Sequence, residues 1–196
     1  MKQLHRPDLF GWASFDESRN VDFNGTAWIR AEGNIVIDPM PMSDHDRAHL
    51  EGLGGAAWVI VTNSDHIRAT QEVAEYFGAE IAGPVGEQHT WPWLCNALLG
   101  DGDVLVEGLT AFTVAGSKTP GELALLLGDH TLVTGDLIRA HQGGRLMMLP
   151  DPKLSNKMAA QASAKKLAEL GADAIIVGDG WPLFSGGVAA LEALAG

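Results

Sequence analysis

The chemistry in this chain is concentrated in Asp65, His66, Asp136 and Asp179. Each follows a short apolar run. Trp58-Val59-Ile60-Val61 leads to Thr62-Asn63-Ser64-Asp65-His66, Thr131-Leu132-Val133 to Gly135-Asp136, and Ile175-Ile176-Val177 to Gly178-Asp179-Gly180. A fourth run, Phe112-Thr113-Val114, leads to Gly116-Ser117-Lys118-Thr119-Pro120-Gly121. Three carboxylates and an imidazole are a ligand set for a divalent cation. Two carboxylates about 4 Å apart repel by ~4 kcal/mol at an effective dielectric of ~20. Three in close company therefore need a cation or a proton. A bound metal would meet that need, polarise a carbonyl or phosphoryl oxygen and acidify a bound water. Singly, the same residues have ordinary structural uses: Gly135-Asp136 as a turn, Asp65 as a helix N-cap.

The elements that must position these groups are legible from pattern. Apolar runs bounded by glycine and polar residues read as buried strands, and ligands gather at the carboxyl ends of strands in α/β chains. Thr26–Ile29 and Asn34–Ile37 flank a Glu32-Gly33 turn and read as a hairpin, which Asp38-Pro39 ends. Ser43 is placed to cap a helix closing at Gly52. Ile67, Thr70, Val73, Ala74 and Phe77 fall at helical spacing before Gly78. Further strands are expected at 79–83, 104–106, 110–114, 123–127, 131–134 and 174–177, with helices at 156–170 and 187–195. Residues 84–102 and 137–153 read as irregular. Loops of that length often serve function. The order implies sheets covered on their outer faces by helices.

Bulk properties narrow the classes. The chain has 196 residues, 46% hydrophobic and 19% charged, which suits one globular domain spanning 1–196. A formal net charge of −12 argues against nucleic acid and anionic membrane as partners. One cysteine, Cys95, precludes an intrachain disulfide and fits a cytoplasmic protein. The segment Met1 to Asp8 lacks the apolar core of a signal peptide, and no apolar stretch reaches the ~20 residues of a membrane span.

Taken together, these motifs resemble the metallo-β-lactamase superfamily, including its glyoxalase II-like hydrolases. The resemblance rests on Asp22-Phe23-Asn24-Gly25, Ile37-Asp38-Pro39, the Asp65-His66 pair, Thr119-Pro120-Gly121-Glu122, Gly135-Asp136 and Gly178-Asp179-Gly180. It implies a four-layer αβ/βα sandwich with the site along one edge of two sheets. It also implies hydrolysis of an ester, thioester, amide or phosphoester by metal-bound hydroxide, with Asn24 and Asp38 in supporting positions.

The departures from the family's His-x-His-x-Asp-His motif are specific. Its first two histidines fall on Val61 and Asn63. The histidine of its Gly-His-Thr-x-Gly turn falls on Lys118 or Ser117. Its last histidine, in a Gly-His-Gly-like turn, becomes Asp179. The first metal site is thereby erased, and a two-zinc centre is not expected. The second keeps Asp65, His66 and Asp136 and gains Asp179, an oxygen-rich set suited to one Zn²⁺, Mn²⁺ or Fe²⁺.

Two readings follow. In one, the chain is a mononuclear metal-dependent hydrolase. Asp65, His66, Asp136 and Asp179 hold the metal, Asp65 is also the catalytic carboxylate, and metal-bound water attacks. Asn63, Lys118 and Arg139 then orient a small-molecule substrate or stabilise an oxyanion, and His141 shuttles a proton. In the other, Lys118, Arg139 or Arg68 neutralises the carboxylates. The fold then serves as a metal-free, non-catalytic protein that binds a small molecule or a partner. His45 and His49 read as a solvated helix face. The His89, Trp91 and Trp93 segment is a flap or an apolar patch for a homodimer.

Overall fold

In the computed structural model, which describes residues 1–196, the strand patterns sort side chains into three apolar layers. The first sheet runs in spatial order β1 (Lys2–Gln3), β2 (Leu9–Asp16), β3 (Val21–Trp28), β4 (Ile35–Ile37), β5 (Trp58–Ile60), β6 (Glu80–Pro84) and β7 (Ala97–Leu99). The second runs β14 (Ala174–Val177), β11 (Thr131–Thr134), β10 (Leu123–Leu127), β9 (Leu109–Thr113) and β8 (Val104–Val106). Helices α1 (Asp44–Gly52) and α2 (Thr70–Phe77) accompany the first sheet, and α3 (Lys157–Ala168) and α4 (Gly187–Ala195) the second.

Alternation along each strand dictates this layering. Ile35 and Ile37 enter the core between the sheets, while Val36 between them packs under the first helical layer. Leu123, Leu125 and Leu127 join that same inter-sheet core, and Ala124 turns to the second helical layer. Ile176 points inward between the sheets, Ile175 and Val177 outward. The result is the expected αβ/βα sandwich.

The expected hairpin forms, with Thr26 opposite Ile37 and Trp28 opposite Ile35. Ser43 caps α1 by accepting from Asp46 N–H, and Gly78 closes α2 with φ +68°. Three segments differ from expectation. The hairpin β2–β3 extends well beyond the expected strand at Thr26–Ile29, because Gly11, Ser14, Asp16, Asn24 and Gly25 interrupt its apolar pattern. Residues 137–153, expected to be irregular, contain the antiparallel ribbon β12 (Ile138–Gln142) and β13 (Arg145–Met148). Residues 84–102 contain β7, paired parallel to β6.

The edge that carries the candidate site is stitched between sheets. Asn24 N–H donates to Gly178 O at 2.9 Å, and Asn24 Nδ2 donates to Val177 O and Gly180 O at 2.9 and 2.7 Å. On the other side, Leu123 N–H donates to Thr62 O at 2.8 Å. These bonds tie β3 to the end of β14 and the end of β5 to the start of β10, fixing the strand ends relative to one another.

Candidate functional site

Four strand ends meet as the patterns predicted: after β5, β9, β11 and β14. Their residues line an open cleft of about 820 Å³ whose wall includes Asp65, His66, Lys118, Asp136, Arg139 and Asp179.

His66 sits at the base, 3% exposed. Its Nδ1 bonds Asp38 Oδ2 at 2.7 Å, and Thr62 Oγ1 lies 3.2 Å from the same nitrogen. Its Nε2 faces Asp136 Oδ1 at 3.6 Å. Burial, the largest single influence, and Arg68 oppose a charged ring, but Asp38 and Asp136 together outweigh them, so the pKa is pushed up to about 9. His66 is therefore an imidazolium near neutral pH. Asp38 is held at φ +46° and Arg68 at φ +42°, strained conformations for non-glycine residues that the surrounding hydrogen bonds sustain. Gly178 packs against the imidazole so closely that a Cβ there would lie 2.6 Å from His66 Cε1.

Asp136 is buried and ringed by cations. Burial alone would raise its pKa; His66 and then Lys118 outweigh that and hold the carboxyl well below the usual range. Lys118 Nζ lies 2.6 Å from Asp65 Oδ2 and 3.0 Å from Asp136 Oδ2. Asp136 Oδ2 nevertheless receives no directed hydrogen bond, so the contact is one of charge rather than aimed donation. The two carboxylates raise the Lys118 pKa against its partial burial. Arg139 Nη2 bridges Asp136 Oδ1 at 3.4 Å and Asp179 Oδ2 at 3.0 Å. Arg68 Nη2 stands 3.6 Å from Asp179 Oδ1, while its Nη1 donates to the carbonyls of Asn24 and Asp38. Four carboxylates, Asp38, Asp65, Asp136 and Asp179, thus face Lys118, Arg68, Arg139 and protonated His66.

The loops beneath are held by two buried glutamates, neither of which the sequence patterns assigned a role. Glu87 accepts from Ser64 N–H at 2.6 Å and Gly121 N–H at 3.0 Å, clamping the Asp65 turn to the Lys118 loop. Glu122 accepts from Leu137 N–H and from Ser117 Oγ. Its burial pushes the carboxyl up to about 7. Glu122 had a signal in its Thr-Pro-Gly-Glu turn. Glu87 had none, since only the fold brings it under the site.

The structure redistributes the expected roles. His66, Asp136 and Asp179 bring donor atoms within 4.8 Å of one another. Asp65 falls outside that group; its side chain is half exposed and drawn to Lys118. Asn63 is fully buried and does not reach the cleft, because its Oδ1 caps Asp65 N–H at 2.9 Å. Lys118 rather than Ser117 enters the site, Ser117 being turned inward to Glu122. Arg139 and His141 line the cleft, as do Arg19, Phe23, Met40 and Lys153. Trp91 and Trp93 stack on each other with centroids 6.4 Å apart, away from the cleft lining, and Trp91 packs over Gly83.

A pair of divalent cations does not fit these residues. Val61 has no donor atom, Asn63 Oδ1 is committed to the backbone, and Lys118 brings a positive charge where a ligand would be needed. A single cation has three converging donors. Two of these residues also carry a buried oxygen without a directed hydrogen-bond donor, Asp136 Oδ2 and Asp179 Oδ1. No helix of the structure is long and apolar enough to cross a membrane.

Comparison with known proteins agrees with this architecture. A curated relative, the hydroxyacylglutathione hydrolase of Acidiphilium cryptum (strain JF-5), is 31% identical over 127 residues, covering 61% of this chain and 51% of the relative. The chain thus spans about half the length of the curated relative it matches. Among solved structures, the DIM-1 metallo-beta-lactamase superposes with a TM-score of 0.75 at 16% identity, over 98% of this chain and 95% of that one. TTHA1623 in a di-iron-bound form superposes with a TM-score of 0.68 at 18% identity, over 93% and 96%. These likenesses show the fold. A family model, that of the metallo-beta-lactamase superfamily, matches residues 1–196. The chain belongs to the metallo-beta-lactamase superfamily, a family of metal-dependent hydrolases whose members typically bind divalent metals such as zinc or iron.

Proposed function

We propose that this chain keeps the superfamily's edge cleft as a metal-free, ion-paired pocket that binds a small molecule. The observation that carries this reading is the placement of Lys118 between Asp65 and Asp136, with Arg139 between Asp136 and Asp179. Divalent cations neutralise such carboxylates when histidines accompany them. Here two side-chain cations do so, and Arg68 and the proton on His66 bring the four carboxylates to charge balance. Adding a divalent cation would require expelling the His66 proton and displacing Arg139 or Lys118 from carboxylates they already neutralise.

A second reading has its own observation. His66, Asp136 and Asp179 converge within 4.8 Å, and the Asp38–His66 bond is the kind that orients a metal-ligating imidazole. On that reading these three residues hold one divalent metal, which would polarise substrate and acidify water, and the chain is a mononuclear hydrolase.

Elemental analysis separates the two. Protein purified without chelator, then dialysed against Zn²⁺, Mn²⁺ and Fe²⁺, is expected to retain less than about a tenth of an equivalent of metal. One equivalent that disappears in Asp136→Ala would overturn the metal-free reading in favour of the mononuclear one.

A further inference from the structure

Charge is distributed unevenly around this cleft. Five of the chain's 13 Lys and Arg line it, against four of its 25 Asp and Glu. The cleft is thus a cationic recess in a protein of net charge −12. At its inner end the carboxylates are already matched by Lys118, Arg68 and Arg139. At its mouth the excess is positive. Lys153 makes no ion pair, and Arg19 is 69% exposed and only 3.7 Å from Asp16. His141 also lines the cleft. Partial burial and then the field of Arg139 lower its pKa, with Asp179 opposing and Lys153 adding to the shift. Low-dielectric walls focus such a field on a bound charge. Phe23 also lines the cleft, its ring flanked by the Arg19 and Arg68 guanidinium carbons, each 5.6 Å from its centroid.

Resting on the metal-free reading, we propose that the mouth of the cleft is an oxyanion site. His141 and Lys153 receive the phosphate or carboxylate of a small organic anion, the buried and already paired Arg139 adds its field from below, and Phe23 packs against the short apolar part of the ligand. A cationic ligand finds no comparable place. The only half-exposed carboxylate at the site's inner end, Asp65, is already paired with Lys118.

Calorimetric titration of the chelator-treated full chain tests this, with phenyl phosphate, benzoate and the similarly sized cation benzyltrimethylammonium as probes. At least one aromatic anion is expected to bind, more weakly as salt is raised, and the cation is not. Comparing the two anions tells a phosphate site from a carboxylate site. Lys153→Glu, at an exposed position, is expected to weaken anion binding by about tenfold or more with an unchanged melting temperature. Equal binding of the cation, or unchanged anion affinity in Lys153→Glu, overturns the assignment. A chain that takes up neither metal nor anion keeps the metal-free reading and overturns the oxyanion site alone. Anion binding that appears only after Mn²⁺ loading overturns both.

Discussion

Lys118 Nζ stands 3.0 Å from Asp136 Oδ2, so a side-chain ammonium neutralises the carboxylate that closes β11. Because the same nitrogen is 2.6 Å from Asp65 Oδ2, one lysine holds two strand ends together electrostatically. Removing Lys118 would leave buried Asp136 where it cannot hydrate, whereas half-exposed Asp65 would stay in contact with water.

Lys118→Met therefore leaves buried Asp136 short of one cation. We expect a loss of about 1–3 kcal/mol in chemical denaturation. In the variant, added Mn²⁺ or Zn²⁺ should raise the unfolding midpoint, because a divalent ion can now supply the missing charge. The wild type should show no such rise. An equal metal-induced rise in both proteins would mean that Lys118 does not compete with metal.

The Asp38–His66 pair predicts an alkaline weakness. His66 titrates at about 9 in the folded chain and 6.5 when unperturbed. The folded state holds this proton more tightly than the unfolded one. Its contribution is complete below pH 6.5 and lost as pH rises through 9, by at most about 3 kcal/mol. Asp136 acts oppositely: its lowered pKa contributes above the normal carboxylate value and is lost in acid. Urea unfolding across pH should show the alkaline decline, and Asp38→Asn should shrink it while NMR reports a lower His66 pKa. A variant destabilised equally at every pH would show that Asp38 acts only by packing.

Gly178→Ala tests how closely the imidazole is seated. The new Cβ would stand 2.6 Å from His66 Cε1, and the ring has no room to retreat because Asp38 fixes its other side. Overpacking of this kind costs about 1–3 kcal/mol. The His66 ring resonances should shift as well. Wild-type stability with unshifted His66 signals would sink the claim of tight seating.

Much of this protein was legible in its sequence. The apolar runs Ile35–Ile37, Leu123–Leu127 and Ile175–Val177 marked strands buried on both faces, although which residue faces which layer was left to the fold. The apolar runs ending at Asp65, Lys118, Asp136 and Asp179 placed those residues at strand ends. The substitution of Val61, Asn63 and Lys118 for ligating side chains was likewise plain, because a residue type is a chemical fact before any folding. What the sequence did not reveal was the pairing. Lysine and arginine reach several angstroms along flexible stems, so their partners depend on which strand ends become neighbours. Only the tertiary structure put Lys118 and Arg139 on shared carboxylates, split Asp65 from His66, Asp136 and Asp179, buried Asn63 and slid Glu87 beneath the Asp65 turn. Those outcomes depend on contacts between residues far apart in the chain, and local pattern carries no information about them.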